Sequence, residues 1–297
     1  MEKGYVLLNR FIGLFTHNYV CLALTVNIIL FIPLYKFIKK HVSTEYWGLC
    51  VFVFTANPYM FVQSTFNVLR QTCATGIILW GMSLLLDDSK SRKNVFSFLL
   101  IILLAAQFHR MAYIYATIPI LLNIKWKKNY WYILMNISVF MNFIGMRFVA
   151  RYIFRILHFN EEYLRAPATT LNNPVYILFV YCVILFIIWH YEAVAAKSPR
   201  KKQMIDFYIA SLCFLIVALS NDEFYRGYMV LAFCSLPAIP VICDATLIGV
   251  GKIRIKHEEF FIRKLYVLYY FFFYIGYIAL LAIKHNTSYV PFRFFFN

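Results

Sequence analysis

Charged side chains are scarce in this chain. Only 14% of its 297 residues are Asp, Glu, Lys or Arg, whereas soluble domains carry roughly 25%. Hydrophobic residues make up 62% of the sequence, the mean hydropathy is +0.68, and long apolar runs recur along its whole length. This composition excludes a soluble enzyme, a coiled coil and a disordered chain. It predicts an all-α polytopic bundle of transmembrane helices, because a helix satisfies its own backbone hydrogen bonds in lipid.

Acidic residues are a second scarcity, with 13 Asp and Glu against 29 Lys and Arg and a formal net charge of +16. The acids lie in predicted loops or near segment ends, which excludes a proton relay of the pump type. The chain has no Asp-x-Asp motif, no metal-ligand spacing and no CxxC pair. We therefore expect no metal and no cofactor. It also lacks a nucleic-acid-binding module, so the positive charge needs another explanation.

The basic residues are concentrated in every second loop between the apolar runs. The positive-inside rule places these loops in the cytoplasm, so that both termini face outward. We expect one integral membrane domain, 1–297, with a long outer connection at about 150–173. The pattern predicts about ten membrane segments, one or more of them short or broken: 19–38, 46–63, 66–86, 94–108, 110–124, 129–149, 174–192, 203–220, 226–245 and 264–283.

Lysine and arginine are distributed differently between the two sides. Every lysine except Lys3 and Lys284 falls on the predicted inner side, whereas most arginines fall on the outer side. Lysine suffices to orient a membrane protein, but arginine is suited to bidentate recognition of phosphate or carboxylate. Arginines that snorkel at helix ends explain part of this bias. The remainder indicates an anion-binding site on the outer face.

Three of these arginines, Arg70, Arg110 and Arg226, begin helices that descend from the outer face. A cation there opposes the positive end of the helix dipole, so a compensating anion is expected. We predict that all three bind pyrophosphate, since a helix N-terminus with an arginine suits that group. The alternative is pairing with a local carboxylate. Asp222 or Glu223 can pair with Arg226, but Arg70 and Arg110 have no acid within their own turns.

Segments 94–108 and 110–124 are short, about 15 residues each, and therefore span about 22 Å of a hydrocarbon core of about 30 Å. The turn between them is expected below the outer surface, which makes His109 a candidate acid or base for catalysis. The alternative is a structural histidine. Asp222 and Glu223 are the other candidate catalytic bases. In the outer connection, which is expected to be an ordered lid or an amphipathic segment, Arg151 and Arg155 are candidate substrate-binding residues.

Two motifs give the chain a resemblance to a known family. Asn67-Val68-Leu69-Arg70-Gln71-Thr72-Cys73-Ala74, followed by Phe108-His109-Arg110-Met111-Ala112, resembles the EpsG family of bacterial polysaccharide polymerases, which are similar to Wzy-type O-antigen and capsule polymerases. Asp222-Glu223-Phe224-Tyr225-Arg226 takes the place of a later family motif. The segment that contains Glu2, Gly4 and Tyr5 also resembles the family. Family members usually begin with two further membrane segments, so a shortened or trimmed member is expected.

This resemblance implies a GT-C-like, metal-independent glycosyltransferase in the bacterial cytoplasmic (inner) membrane, with its active site facing the periplasm. It would transfer a growing glycan from undecaprenyl pyrophosphate onto a new lipid-linked repeat unit, in O-antigen, capsule or exopolysaccharide synthesis. The implied partners are these lipid-linked oligosaccharides, membrane lipid and a chain-length regulator. The motifs make Asn67, Gln71 and Tyr225 candidate substrate-binding residues.

Two other functions remain open from the residues. One is a glycan ligase or another lipid-linked glycosyltransferase, which would need the same anion site. The other is a transporter such as a flippase, although the segments lack the mid-membrane charges that would line its path. A membrane acyltransferase is a further alternative, since His109 partly matches the embedded histidine expected of one.

Overall fold

The computed structural model of the chain describes residues 2–56, 60–61, 68–87, 92–145, 152, 172–195 and 198–249. Every regular element in these ranges is helical, which confirms the predicted all-α class. The described residues form two compact units, 2–116 and 117–249. The predicted segment 264–283 lies outside the described residues, and the count of about ten segments stays a prediction.

The first unit contains five α-helices and two short 3₁₀-helical stretches, within its described residues. The 3₁₀ stretches are Thr44–Tyr46 and Arg110–Thr117, the second of which ends at the first residue of the other unit. The α-helices are α1 (Lys3–Gly13), α2 (Tyr19–His41), α3 (Trp47–Ala56), α4 (Leu69–Leu85) and α5 (Arg92–Ala106).

Helix α2 confirms the first predicted segment as a helix. This predominantly apolar helix of 23 residues extends about 34 Å, enough to cross the hydrocarbon core. Asn18 caps its start, because Oδ1 accepts the Val20 N–H at 2.9 Å. Lys39, Lys40 and His41 end it, a favourable position for cations. Among the described helices this one alone meets the length and composition test for a membrane span, and Pro174–Trp189 is a shorter apolar helix.

Helices α2 and α4 approach each other closely at Gly76. A Cβ atom added to Gly76 would overlap the carbonyl oxygen of Ile29 and lie 2.8 Å from its carbonyl carbon and 3.0 Å from the Leu30 Cα. The neighbours Cys73 and Ala74 are small and buried. Small residues of this kind let two helix backbones pack directly in a membrane, where dispersion contacts replace the hydrophobic effect.

The second unit is built around a long central helix, Pro199–Ala218 (α10), which buries residues along most of its length. A π-helical turn, Met141–Gly145, follows α7. The α-helices described in this unit are α6 (Ile118–Asn123), α7 (Lys128–Phe140), α8 (Pro174–Trp189), α9 (Tyr191–Ala195), α10 (Pro199–Ala218), α11 (Asp222–Ser235) and α12 (Ala238–Gly249).

Two predicted segments are not the single helices expected. Segment 226–245 is divided between α11 and α12, with a turn at 236–237, since Pro237 has no N–H to donate within a helix. Segment 110–124 is a 3₁₀ stretch followed by the short α6, which has a proline, Pro119, in its first turn. The turn at 107–109 is confirmed. The sequence therefore predicted that some helices are short or broken, but it did not predict the positions of these two breaks.

The predicted start of α8 is confirmed in detail. Asn173 is the N-cap residue, and its Oδ1 accepts the Tyr176 N–H at 2.8 Å. Pro174 follows at the first helical position, where its missing N–H costs nothing. The outer connection that precedes this cap lies outside the described residues, except for Tyr152, Asn172 and Asn173.

A buried carboxylate, Asp206, ties α10 to its neighbours in the second unit. Its Oδ1 accepts hydrogen bonds from the Tyr191 hydroxyl at 2.6 Å and from Trp131 Nε1 at 3.2 Å. Its Oδ2 accepts from Lys202 Nζ at 2.8 Å. The same ammonium donates to the carbonyl of Trp126 at 3.1 Å, which joins the first turn of α10 to the loop between α6 and α7. The charge is buried because it is fully paired.

Gly76→Ala is expected to destabilise the protein by about 1 to 3 kcal/mol, because the new Cβ meets the rigid backbone of α2. Thermal unfolding in detergent measures this. Gly48→Ala is the matched control, since nothing lies within 4 Å of its added Cβ and the residue is exposed in α3. The control should match or slightly exceed the stability of the parent protein. Equal stability of both variants would contradict the close approach of α2 and α4.

Asp206→Ala is expected to lower the free energy of unfolding by about 3 kcal/mol or more, because it leaves the Lys202 ammonium without its buried counter-ion. The same unfolding measurement applies. Asp87→Ala is the control, since the Lys40–Asp87 ion pair of 2.9 Å is about 40% exposed on both sides. Its loss should cost less than about 1 kcal/mol.

Candidate functional site

One carboxylate in the first unit joins two of the predicted site residues. Glu2 Oε2 accepts a hydrogen bond from Arg70 Nη1 at 2.8 Å. Its other oxygen, Oε1, lies 3.7 Å from His109 Nδ1. Only 11% of the Glu2 side chain is exposed, against 54% for Arg70 and 25% for His109. The candidate site is therefore a group of three side chains, Glu2, Arg70 and His109, drawn from α1, α4 and the turn after α5.

A backbone contact fixes where Glu2 lies. The Gly4 N–H donates to the carbonyl of Gln107 at 3.0 Å, which docks the start of α1 on the turn that carries His109. A Cβ on Gly4 would lie 2.9 Å from the Gln107 Cβ and 3.1 Å from its carbonyl oxygen. Glycine is therefore required for this approach, and it places Glu2, the residue at the N-cap position of α1, beside His109.

An apolar cluster packs against α1, the docked helix. Val26, Leu69 and Cys73 form its buried centre, with 0 to 5% of each residue exposed. Tyr5 and Leu8 of α1 pack against this centre, as does Phe108 from the turn. The apolar contacts hold α1 against α2 and α4, so the charged group at its start does not have to supply the whole docking energy.

The electrostatics of the group favour an ionised Glu2. Burial opposes ionisation, but a backbone hydrogen bond and the positive charge and hydrogen bond of Arg70 outweigh it, with a smaller effect from His109. Together they hold the pKa of the Glu2 carboxyl below its ordinary value of 4.5. At neutral pH the site thus contains a carboxylate between a guanidinium and an imidazole.

Arg70 has an acidic partner from a distant part of the chain. No acid lies within its own turn, as the sequence indicated, but Glu2 reaches it from 68 residues away in the chain. Gln71, the next residue, is a candidate for substrate binding and is only 5% exposed. Arg110 is exposed at the start of its 3₁₀ stretch. Asn67 lies outside the described residues.

In the second unit, Arg226 has a local carboxylate partner, as the alternative to anion binding allowed. Arg226 Nη1 donates to Glu223 Oε1 at 2.9 Å, one turn earlier on α11. Asn221 caps this helix by accepting the N–H groups of Glu223 and Phe224 at 2.9 and 3.4 Å. The pair is partly exposed, whereas Tyr225 is buried, with only 3% of the residue exposed. Glu223 is thus tied to a cation in the same way as Glu2.

Besides Asn67, the side chains of three sequence-based candidates lie outside the described part of the structure. Arg151 and Arg155 of the outer connection lie outside the described residues, and only the backbone of Asp222 is described, as the first residue of α11. Within the part of the chain that the structure describes, no group of three or more His, Cys, Asp or Glu side chains is arranged to hold a metal ion.

Glu2 is the site residue that sequence reasoning did not select. The sequence placed it on the outer side with Arg70 and His109, and its segment resembles a family segment. It was passed over because an ion pair between residues 2 and 70 leaves no periodic pattern in the chain. The signal that would have found it is the shortage of outer carboxylates available to Arg70.

The low pKa of Glu2 makes its contribution to stability depend on pH. The contribution is complete above the ordinary pKa of 4.5 and disappears as the pH falls through the lower folded value. Relative to the parent protein, Glu2→Gln should lose on the order of 1 kcal/mol at pH 7, since Arg70 is half-exposed, and progressively less as the pH falls below 4.5. Unfolding measured in detergent over this range tests it. Glu45→Gln, an exposed acid elsewhere in this unit, should show no such trend.

Comparison with known proteins gives a family and no individual relative. No curated protein and no solved structure matches the chain. The family model described as the EpsG family matches residues 1–294, nearly the whole sequence. This match confirms the resemblance seen in the motifs around Arg70 and His109. The chain belongs to the EpsG family, whose members are polysaccharide-polymerase-like membrane proteins.

Proposed function

We propose that this protein polymerises a polysaccharide at the outer face of the bacterial cytoplasmic membrane. The donor is a glycan on undecaprenyl pyrophosphate, and the acceptor is a new repeat unit on the same lipid. The observation that carries the proposal is the contact of Glu2 with both Arg70 and His109. It brings an anion-binding side chain and an acid–base side chain into one small site, which is what transfer from a diphosphate requires.

Arg70 is the proposed ligand of the leaving diphosphate. A guanidinium has five N–H donors in a planar fork, and the Glu2 contact engages Nη1 alone. More than half of the side chain is exposed, so an anionic ligand has access to it. Arg110, exposed one residue after His109, is a second candidate in the same unit. Arg226 of the second unit is proposed separately to bind phosphate, next to Glu223.

The proposed reaction needs one bond made and one broken. A hydroxyl oxygen of the acceptor sugar attacks the anomeric carbon of the donor glycan, and the bond from that carbon to the diphosphate oxygen breaks. The electron pair leaves with undecaprenyl pyrophosphate, whose growing charge Arg70 stabilises. The hydroxyl proton passes to His109. No metal is required, because guanidinium groups carry the charge that a metal ion would otherwise neutralise.

Contacts within each unit support the sidedness that this reaction assumes. Glu2, Arg70 and His109, which meet in the first unit, all belong to predicted outer loops or turns. Lys40 pairs with Asp87, and both flank predicted inner loops. The basic loops joined through Lys202 and Trp126 in the second unit are predicted inner loops as well. Residues assigned to one side therefore meet residues of that side.

Arg70→Ala is expected to replace long glycan ladders by single repeat units on the lipid A core or equivalent anchor, because loss of one transition-state donor costs about 10² to 10³ in rate. Arg226→Ala should shorten chains in the same way. The measurement is a glycan gel from a deletion strain complemented at native expression. Arg10→Ala is the matched control, an exposed arginine at the end of α1.

Each other outcome of this experiment points elsewhere. Ladders of normal length from the Arg70 and Arg226 variants would contradict the polymerase. Loss of all surface glycan on deletion, rather than its shortening, would indicate a ligase. Lipid-linked repeats that accumulate in the cytoplasmic leaflet would indicate a flippase.

A further inference from the structure

The two oxygens of the Glu2 carboxylate serve different partners. Oε2 accepts from the Arg70 guanidinium at 2.8 Å, and Oε1 faces the His109 imidazole at 3.7 Å. We infer that Glu2 is a positioning residue of the transfer reaction, which orients His109 as the general base and couples it to Arg70. This inference rests on the proposed function. In it His109 is the general base and Glu2 is the carboxylate beside it, so neither Asp222 nor Glu223 is needed as a base.

The orientation of the imidazole follows from which nitrogen faces Glu2. With Nδ1 towards a carboxylate, the favoured neutral tautomer carries its proton on Nδ1 and keeps the lone pair of Nε2 as an acceptor. Nε2 lies on the other side of the ring and takes the proton from the hydroxyl group of the acceptor sugar. The distance of 3.7 Å is longer than a hydrogen bond, and such contacts tighten when substrate binds.

Charge balance gives Glu2 a second effect. When His109 takes the proton from the acceptor hydroxyl it becomes an imidazolium, and the neighbouring carboxylate stabilises that charge. At the same moment the leaving diphosphate gains negative charge that Arg70 must stabilise. Glu2 stands between the two cations and separates them, so that both can be charged at once. Among the residues that the structure describes, the titratable and charged groups that face Glu2 are Arg70 and His109.

The place of Glu2 depends on the way α1 is docked. Gly4, two residues later, donates its N–H to Gln107, two residues before His109. A Cβ at position 4 would lie 2.9 Å from Gln107 and force the start of α1 away from the turn. Gly4→Ala should therefore separate Glu2 from His109 without a change in either side chain. Gly13→Ala at the other end of α1 meets nothing within 4 Å.

The experiment measures chain extension by the full-length protein in proteoliposomes, with lipid-linked repeat units extracted from the deletion strain as substrate. Glu2→Gln is expected to lower the maximal rate about 10- to 100-fold, with little change in KM. The acidic limb of its pH profile should move to lower pH, because the imidazolium has lost its neighbouring negative charge. Glu2→Asp should recover part of the rate, Gly4→Ala should resemble Glu2→Gln, and Gly13→Ala should resemble the parent protein.

A charge exchange separates positioning from simple docking. The double variant Glu2→Arg with Arg70→Glu restores an ion pair between α1 and α4 but reverses the charge beside His109. We expect it to unfold near the parent temperature in detergent and to be inactive. If Glu2→Gln keeps the parent rate and pH profile while Arg70→Ala is inactive, the inference is wrong and the polymerase proposal stands. If the double variant is active, an ion pair of either polarity is sufficient, and both Glu2 as a positioning residue and Arg70 as the diphosphate ligand are wrong. If the parent protein extends no chains, the polymerase proposal itself fails.

Discussion

The ion pair between Glu2 and Arg70 is the interaction on which the candidate site depends. It closes a loop of 68 residues and brings the first residues of the chain to the start of α4. The chain has only 13 acidic residues against 29 lysines and arginines, so few carboxylates can pair with a cation on the predicted outer face. The same carboxylate also faces His109. In the proposed function, anion binding and proton transfer are thereby neighbouring functions of one small site.

The Asp206 cluster shows the same physical rule in the second unit. A charge is buried there only because Lys202, Tyr191 and Trp131 all satisfy its oxygens. Removal of one partner exposes the full cost of burial, whereas the exposed Lys40–Asp87 pair carries little energy in water. Strong ion pairs are therefore structural where they are deeply buried. At Glu2 the pair is only partly buried, which leaves Arg70 accessible to a ligand.

Local signals in the sequence were sufficient for the helical class and for several boundaries. The apolar run of α2, the Asn173–Pro174 start of α8 and the turn at 107–109 each depend on residues within a few positions of one another. The pairing of Arg226 with Glu223 is also local, because residues three apart share a helix face. The division of 226–245 and the 3₁₀ start of 110–124 were missed, although Pro237 and Pro119 stood in the sequence. A single proline bends some helices and ends others, and its surroundings decide which.

The sequence by itself determined the apolar composition typical of a membrane protein, the basic loops, the family motifs and the arginine bias of the predicted outer side. All of these follow from residue type and short spacing. Only the tertiary structure decided that Glu2 meets Arg70 and His109, that Gly76 lets α4 pack on the backbone of α2, and that Asp206 is buried among aromatic side chains. Each of these contacts joins residues far apart in the chain. Their energies depend on distance and desolvation, which a one-dimensional pattern does not record.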